Sequence, residues 1–182
     1  MRIIGGSLRG KTIPVPAGYR ARPTTDFAKE GLFNILDNEY DFDGLSVLDL
    51  FGGTGSISYE FASRGAGKVY CVEMLPANAD FIRTQVIRMG LKDRVTVVRH
   101  NVFDFLDICR LRFDIVFADP PYAMEGVDTL PDRIFSAGLL YPECYFILEH
   151  SEEYSFVNHR YFVKEKKYGN VRFTFFAAED SH

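Results

Sequence analysis

Apolar residues along the 182-residue chain follow two alternating patterns. Short apolar runs of the kind buried in a parallel sheet stand at 45–51 (LSVLDLF), 68–73 (KVYCVE), 94–99 (RVTVVR), 113–118 (FDIVFA) and 144–149 (CYFILE). Helical spacing fills the gaps, from Ser56 to Arg64, from Pro76 to Met89, across 101–109, and from Val127 to Ala137. Strands alternating with helices predict a doubly wound α/β sheet. The C-terminal end breaks this rhythm. The stretch between Glu149 and YFVKEKK (161–167) is short for a crossover helix, and Tyr168-Gly169-Asn170 leads straight into VRFTFFA (171–177). An antiparallel hairpin is predicted there.

The N-terminal end is different again. Residues 1–15 read as two short strands around Gly5-Gly6 and Arg9-Gly10, closed off by Pro14 and Pro16. AGYRARPT (17–24) reads as a loop. Thr24 or Thr25 then caps a helix that carries Asp26 in its first turn and Phe27, Leu32, Phe33, Ile35 and Leu36 along a stripe reaching about Asp37. A chain of this length favours one domain, with residues 1–40 as an extension and 41–182 as the core.

Composition narrows the class only a little. The chain is 47% hydrophobic and 25% charged, ordinary for a globular protein. No apolar run approaches the roughly 20 residues a membrane helix needs, and MRIIGGSLRG lacks the apolar centre of a secretion signal. Cys71, Cys109 and Cys144 are odd in number and lack a Cys-x-x-Cys pair, which suits free thiols better than disulfides or zinc. A cytoplasmic location is expected, with no metal and no membrane partner. Net charge is −4, yet the basic residues cluster. Arg2, Arg9, Lys11, Arg20, Arg22 and Lys29 face only Asp26 and Glu30 within the first 30 residues, and Arg160, Lys164, Lys166, Lys167 and Arg172 gather near the C-terminus. If the ends meet, these clusters form one phosphate-facing surface; otherwise they are two solvated faces.

The chemistry sits at strand ends. Asp49-Leu50-Phe51-Gly52-Gly53-Thr54-Gly55 closes the first strand, where glycines let the backbone turn tightly and approach a ligand. Glu73 ends the second strand 18 residues after Gly55, where a carboxylate can accept hydrogen bonds from a ribose diol. The dinucleotide fingerprint is incomplete, because Ser58 stands where a third small residue would complete it. Asp49 would sit badly beside a pyrophosphate. A nucleoside joined to an amino acid offers a diol and a cationic end without phosphate, and S-adenosylmethionine has that chemistry. The fourth strand then ends on Asp119-Pro120-Pro121-Tyr122. Two prolines fix φ and donate no N–H, leaving a carboxylate and carbonyls as rigid acceptors. An exocyclic amino group on a planar base matches them. Asp119 and the Pro120 carbonyl each accept one amino hydrogen, turning the nitrogen lone pair towards a methyl donor, and Tyr122 offers a stacking face. Such a base must be unpaired or flipped out.

Asp119 to Tyr122 resemble the (D/N/S)PP(Y/F/W) motif of S-adenosylmethionine-dependent amino methyltransferases. RIIGGSLRGKTI, ARPTTDFAKEGLFNIL, VLDLFGGTGSISYEFASRGA and EKKYGNVRFTFF together are similar to the RsmD family, whose members methylate the 2-amino group of a guanine in small-subunit (16S) ribosomal RNA. The resemblance implies a Rossmann-like class I methyltransferase fold, with a seven-stranded, mostly parallel sheet whose last strand is reversed, plus a small N-terminal β-hairpin and helix. It implies cofactor contacts from Asp49, Phe51, Gly52, Gly53, Thr54, Gly55, Glu73, Met74, Asn101, Val102 and Asp119, with Asn101 equally open to a helix-capping role. It implies catalysis at Asp119, Pro120, Pro121 and Tyr122. The loop at 22–25 resembles an active-site cover, which implies RNA contacts from Arg22, Thr24 and Thr25, and with chemistry that points to RNA the basic residues Arg2, Arg9, Lys11, Lys166 and Lys167 read as an RNA-facing surface. The family commonly has FAGSG where this chain has Phe51-Gly52-Gly53-Thr54-Gly55, and SISYEF after it is bulkier than usual.

The remaining expectations are plainer. His150 reads as a surface residue, Glu149 as the partner of a nearby basic residue, and the chain as a monomer acting on ribosomal RNA or an assembling small subunit. The rival readings are an amino methyltransferase for adenine N6 or a protein glutamine, a binding module that has lost turnover, and a nicotinamide-linked oxidoreductase.

Overall fold

A computed structural model describes residues 1–19 and 24–179. Its strands are β1 (Ser46–Leu50), β2 (Lys68–Glu73), β3 (Val95–Arg99), β4 (Phe113–Ala118), β5 (Leu140–His150), β6 (Phe162–Tyr168) and β7 (Val171–Phe176). The helices are α1 (Asp26–Glu39), α2 (Ser56–Ser63), α3 (Pro76–Arg88), α4 (Val102–Ile108) and α5 (Leu130–Ser136). The strands form one seven-stranded sheet in the order β3-β2-β1-β4-β5-β7-β6. The first five strands are parallel to one another, and β7 runs antiparallel to both β5 and β6. The doubly wound sheet and the closing hairpin are therefore both present.

Alternation along the strands splits the core in two. Val47, Ile115, Ile147, Phe173 and Phe175 point to the face packed by α1, α2 and α3, where they meet Leu32, Phe33, Phe61, Ile82 and Val86. Leu48, Leu50, Val116, Phe146, Leu148 and Phe176 point the other way, against Leu106 of α4 and Ile134 of α5. With both faces covered, the central strands are apolar almost throughout, as the sequence pattern requires. Chain order runs outwards from β1 to β3 on one side and from β4 to β5 on the other. The carboxyl ends of β1 and β4 thus flank the topological switch point, where open α/β sheets hold their ligands.

The N-terminal segment corrects one expectation. Two regular strands do not form. A single bridge joins Arg2 to Thr12, and the connection contains a 3-10 turn at Gly6–Leu8. The cause lies in α2. The carboxylate of Glu60, fully buried, accepts the N–H groups of Ile4 at 3.0 Å and Gly5 at 2.9 Å. Those donors are spent on a side chain and cannot continue a ladder. Arg64 and Lys29 lie against the same carboxylate at 3.0 and 3.8 Å, so this buried charge is paired as well as hydrogen-bonded. The Lys29 ammonium also donates to the Arg2 carbonyl and to Ser56 Oγ. Lys29, counted above with the basic cluster, is thus an internal staple between α1, α2 and the N-terminus.

α1 starts where its cap predicts, with Thr25 Oγ1 accepting from the Ala28 N–H. β5 begins earlier than its apolar core suggests. Its first half is largely exposed, with Glu143 at φ +62° and a register shift between Phe113 and Ile115 on β4. The segment 127–137 divides into a 3-10 turn and α5.

Candidate active site

The loop after β1 is built for close approach. Gly55 sits at φ +82° before α2, a left-handed conformation that L side chains rarely adopt. Gly52 donates its N–H to the Val72 carbonyl at 2.8 Å, which draws the loop onto β2. A β-carbon on Gly52 would stand 2.3 Å from Cys71 Sγ. This accounts for a glycine where the related pattern has alanine, because the buried thiol fills the space.

Glu73 lies at the end of β2, where its carboxylate accepts the Gly53 N–H at 2.7 Å and the Leu75 N–H at 3.0 Å. These two bonds orient the group, and a carboxylate has further lone pairs for a diol. Asn101 caps α4, its Oδ1 accepting from the N–H groups of Phe103 and Asp104. Its amide nitrogen lies 3.6 Å from Met74 Sδ, and Met74 is exposed beside Glu73. Val102 and Thr54 are buried, and Phe51 adopts φ +60°. One residue escaped the sequence reading. Tyr19 Oη donates to the Gly53 carbonyl at 2.6 Å, its ring leans on Phe81, and Glu73 helps push its hydroxyl pKa up, after burial. The only sequence signal was an aromatic residue inside the loop before Arg22.

Carboxylates dominate the electrostatics. Asp49 is buried beneath the loop, with Ser58 Oγ donating to it at 2.6 Å. Burial raises its pKa to about 7 against that hydrogen bond, and Glu73 and Glu149 push in the same direction. Ser58, in the bulky stretch after the loop, thus has a defined partner. Glu149 follows the last paired positions of β4 and β5, Ala118 opposite Leu148, so it stands beside Asp119. Thr24 Oγ1 donates to Glu149 Oε2 at 2.8 Å, yet burial still brings the Glu149 pKa to about 7. Asp119 is pushed well above the usual carboxylate range by burial, then by Glu149 and Asp49. The expected basic partner of Glu149 is absent among the described residues, where its partner is a threonine hydroxyl. A group of carboxylates held in this state favours a ligand carrying positive charge.

At the mouth of the cleft, Pro121 and Tyr122 are exposed and Asp119 and Pro120 half-buried. The Met124 N–H closes onto the Pro121 carbonyl at 3.0 Å. Tyr122 is 76% exposed, so its ring face is open to a stacking partner, and its hydroxyl donates to Glu153 Oε1 at 3.0 Å. His150 overturns its reading as a surface residue. It is buried, with Nε2 2.6 Å from Thr174 Oγ1 and Nδ1 2.7 Å from the Ser151 carbonyl.

The residues expected to face RNA divide. Thr24 is buried and donates its hydroxyl to Glu149, whereas Thr25 is exposed, its hydroxyl oxygen accepting the Ala28 N–H as the α1 cap. Arg22 lies outside the described residues. Arg2, exposed, pairs with Asp26 at 3.4 Å. In the C-terminal cluster Arg160, Lys164 and Arg172 are engaged by Asp132, Glu39 and Glu165. Lys166 and Lys167 are exposed without an ion pair among the described residues, and so are Arg9 and Lys11. α1 lies between the two groups, touching the N-terminus through Arg2 and Lys29, and β6 through Phe27 and Tyr168. Also among the described residues, no helix is long and apolar enough to cross a membrane.

Comparison with known proteins agrees with this architecture. The family model "Conserved hypothetical protein 95" matches residues 1–177. Ribosomal RNA small subunit methyltransferase D of Escherichia coli K12 is 33% identical over 154 residues, covering 79% of this chain and 74% of that protein. The structure of the hypothetical protein TTHA0928 of Thermus thermophilus superposes with a TM-score of 0.86 at 30% identity, over 98% of this chain and 99% of the other. At 16% identity, the protein described as "SMU.776, a putative methyltransferase complexed with SAH" shares the fold over 82% of this chain and 49% of its own, with a TM-score of 0.66. The match along nearly the whole length places this chain in the conserved hypothetical protein 95 family, to which the RsmD methyltransferases belong.

Proposed function

We propose that this protein transfers a methyl group from S-adenosylmethionine to the exocyclic 2-amino group of a guanine in small-subunit (16S) ribosomal RNA. The observation that carries the reading is the position of Asp119. It is an acceptor with no hydrogen-bond or ion-pair partner among the described residues, at the end of β4, beside the glycine loop of β1, in a cluster of carboxylates that a cationic ligand would relieve. The E. coli relative, named as a small-subunit ribosomal RNA methyltransferase, supports ribosomal RNA as the substrate class.

The residues have distinct tasks in this reading. Glu73 binds the ribose diol, and Asp49 and its neighbours favour the positive charge of the cofactor. S-adenosylmethionine supplies, when bound, an electrophilic methyl group on a sulfonium. Asp119 and the Pro120 carbonyl accept the two amino hydrogens and so aim the nitrogen lone pair, a positioning effect worth several orders of magnitude in rate. Tyr122 stacks on the flipped base. The chain works as one domain and a monomer, with Arg9, Lys11, Lys166 and Lys167 meeting phosphates.

The test is transfer of labelled methyl groups to undermethylated small subunits, with naked 16S ribosomal RNA and DNA alongside, followed by digestion to nucleosides. Label in N2-methylguanosine is expected. Label in N6-methyladenine alone would move the target, and absence of transfer with normal cofactor binding would remove the RNA assignment.

A further inference from the structure

We infer that Glu149 is a positioning residue for a proton: with Asp119 it forms a carboxylate pair that gives up one proton when a cationic methyl donor binds and takes one back from the methylated amino group. The inference rests on the amino-methyltransferase reading, though its first test does not need RNA.

The geometry comes from the sheet. β4 and β5 are parallel and in register up to Ala118 and Leu148, so the next residues, Asp119 and Glu149, leave adjacent strands side by side into the same cleft. Glu149 is 7% exposed and Asp119 half-buried. Like charges on neighbouring positions resist joint ionisation, and burial adds to that cost, so near neutral pH the pair holds about one proton. Among the described residues the surrounding groups do not cancel the effect. Asp49 on β1 adds negative charge to both carboxylates. Thr24, ahead of α1, donates to Glu149 Oε2 at 2.8 Å and favours its ionised form. Across the sheet on β7, Glu149 is opposite the apolar Phe173. His150, the next residue, is turned to Thr174 and to Glu165 at 4.0 Å. Among the described residues neither Asp119 nor Glu149 has an ion-pair partner.

The proton balance follows. A sulfonium and an ammonium entering the cleft favour two carboxylates, so one proton leaves to solvent. In the transfer step the amino nitrogen forms its bond to the methyl carbon, the carbon–sulfur bond breaks, and that electron pair stays on sulfur. The cation is then on nitrogen. Its proton passes to Asp119, whose second negative neighbour is Glu149, and the pair returns to its starting state. Glu149 acts through Asp119. Thr24 sets how easily Glu149 ionises and ties the segment before α1 to the same event.

The first measurement is calorimetric titration of the unmodified protein with S-adenosylmethionine near neutral pH, in buffers of different ionisation heat. Release of about one proton per ligand is expected, with markedly less from Glu149→Gln. Binding without proton release would overturn the inference, whereas proton release without any methyl transfer to RNA would remove only the substrate assignment. The second measurement follows carboxyl carbons of the unliganded protein by NMR against pH, with circular dichroism confirming the fold of each variant. Glu149→Gln is expected to lower the Asp119 midpoint by about one unit or more, and Thr24→Val to raise the Glu149 midpoint. A pair of midpoints unmoved by either change would also overturn it.

Discussion

The thiol of Cys71 on β2 occupies the space that a side chain on Gly52 would need, 2.3 Å from the position of its β-carbon. Two residues separated by a helix in sequence therefore act as one unit of packing beneath the glycine loop. Gly52→Ala should destabilise the protein by about 1–3 kcal/mol through overpacking and weaken binding of S-adenosylmethionine. Adding Cys71→Ala should restore much of both, since the smaller side chain makes room. Thermal unfolding and ligand titration of the two single variants and the double variant check this. Additive losses would show that the two positions do not share the space.

Stability should fall as pH rises across neutrality in the unliganded protein. Asp49 and Glu149 bind their protons up to about 7 in the fold, well above their ordinary values of 3.8 and 4.5, chiefly because they are buried. Between those limits the folded chain holds more protons than the unfolded one, so each group lowers stability as pH climbs through its folded pKa. For Asp49 the full effect is on the order of 4 kcal/mol. His150, buried with a lowered pKa, acts at the acid side, where stability is lost as pH falls below its ordinary 6.5. Asp49→Asn keeps the shape and the acceptor for Ser58 while removing the charge. Its melting temperature should exceed that of the parent by a gap that widens from about pH 5 to about pH 8, at the expense of cofactor affinity. A gap constant with pH would refute the assignment.

How far such features could be read from the chain depends on the sequence distance of their partners. β2 and β4 were legible residue by residue, because a buried apolar run bounded by glycine, proline or charge leaves few alternatives. The glycine loop and the Asp119 to Tyr122 turn were legible as the ends of β1 and β4, because the residues that form them are adjacent in sequence. Glu149 was not, since the hydroxyl that holds it belongs to Thr24, 125 positions away. Nor was the internal role of Lys29: a lysine on a helix looks solvated until the fold brings Glu60 against it. The missing N-terminal strands have the same origin, because the carboxylate that takes the N–H groups of Ile4 and Gly5 lies on α2.

Asp119→Ala should lower methyl transfer by at least a hundredfold while the protein still binds S-adenosylmethionine. Removing one carboxylate from a crowded, repulsive cluster leaves Glu73 and its loop contacts in place. Near-normal turnover would show that the motif does not position the acceptor.

Tyr122 should behave differently from Asp119. Its ring is open to solvent and its hydroxyl contact with Glu153 is also exposed, so the hydroxyl adds little to stability. Stacking on a base is worth about 1–3 kcal/mol. Tyr122→Ala should therefore raise KM for the RNA by roughly ten- to a hundredfold, with little change in melting temperature, and Tyr122→Phe should stay near the parent. Equal losses in both variants would make the hydroxyl, not the ring, the functional part.

The exposed lysines of β6 give the last contrast. Lys166 and Lys167 have no ion-pair partner among the described residues, whereas Lys164, two positions earlier, is held by Glu39 and lies over the rings of Tyr145 and Phe175. A lysine that meets a phosphate releases a counterion, and each such contact contributes about 0.7–0.9 to the slope of log affinity against log salt. Replacing Lys166 and Lys167 together by alanine should weaken RNA binding and reduce that slope by about 1.5, leaving the melting temperature unchanged. Lys164→Ala should do the reverse, lowering stability through lost packing on two aromatic rings and leaving the salt slope intact. The opposed signs matter because overall charge is negative. Long-range attraction cannot substitute for a specific contact in such a chain, so a phosphate-facing strip must be found in the residues that the fold leaves free. An unchanged slope after loss of both lysines would place the RNA surface elsewhere, with Arg9 and Lys11 on the other side of α1 as the next pair to replace.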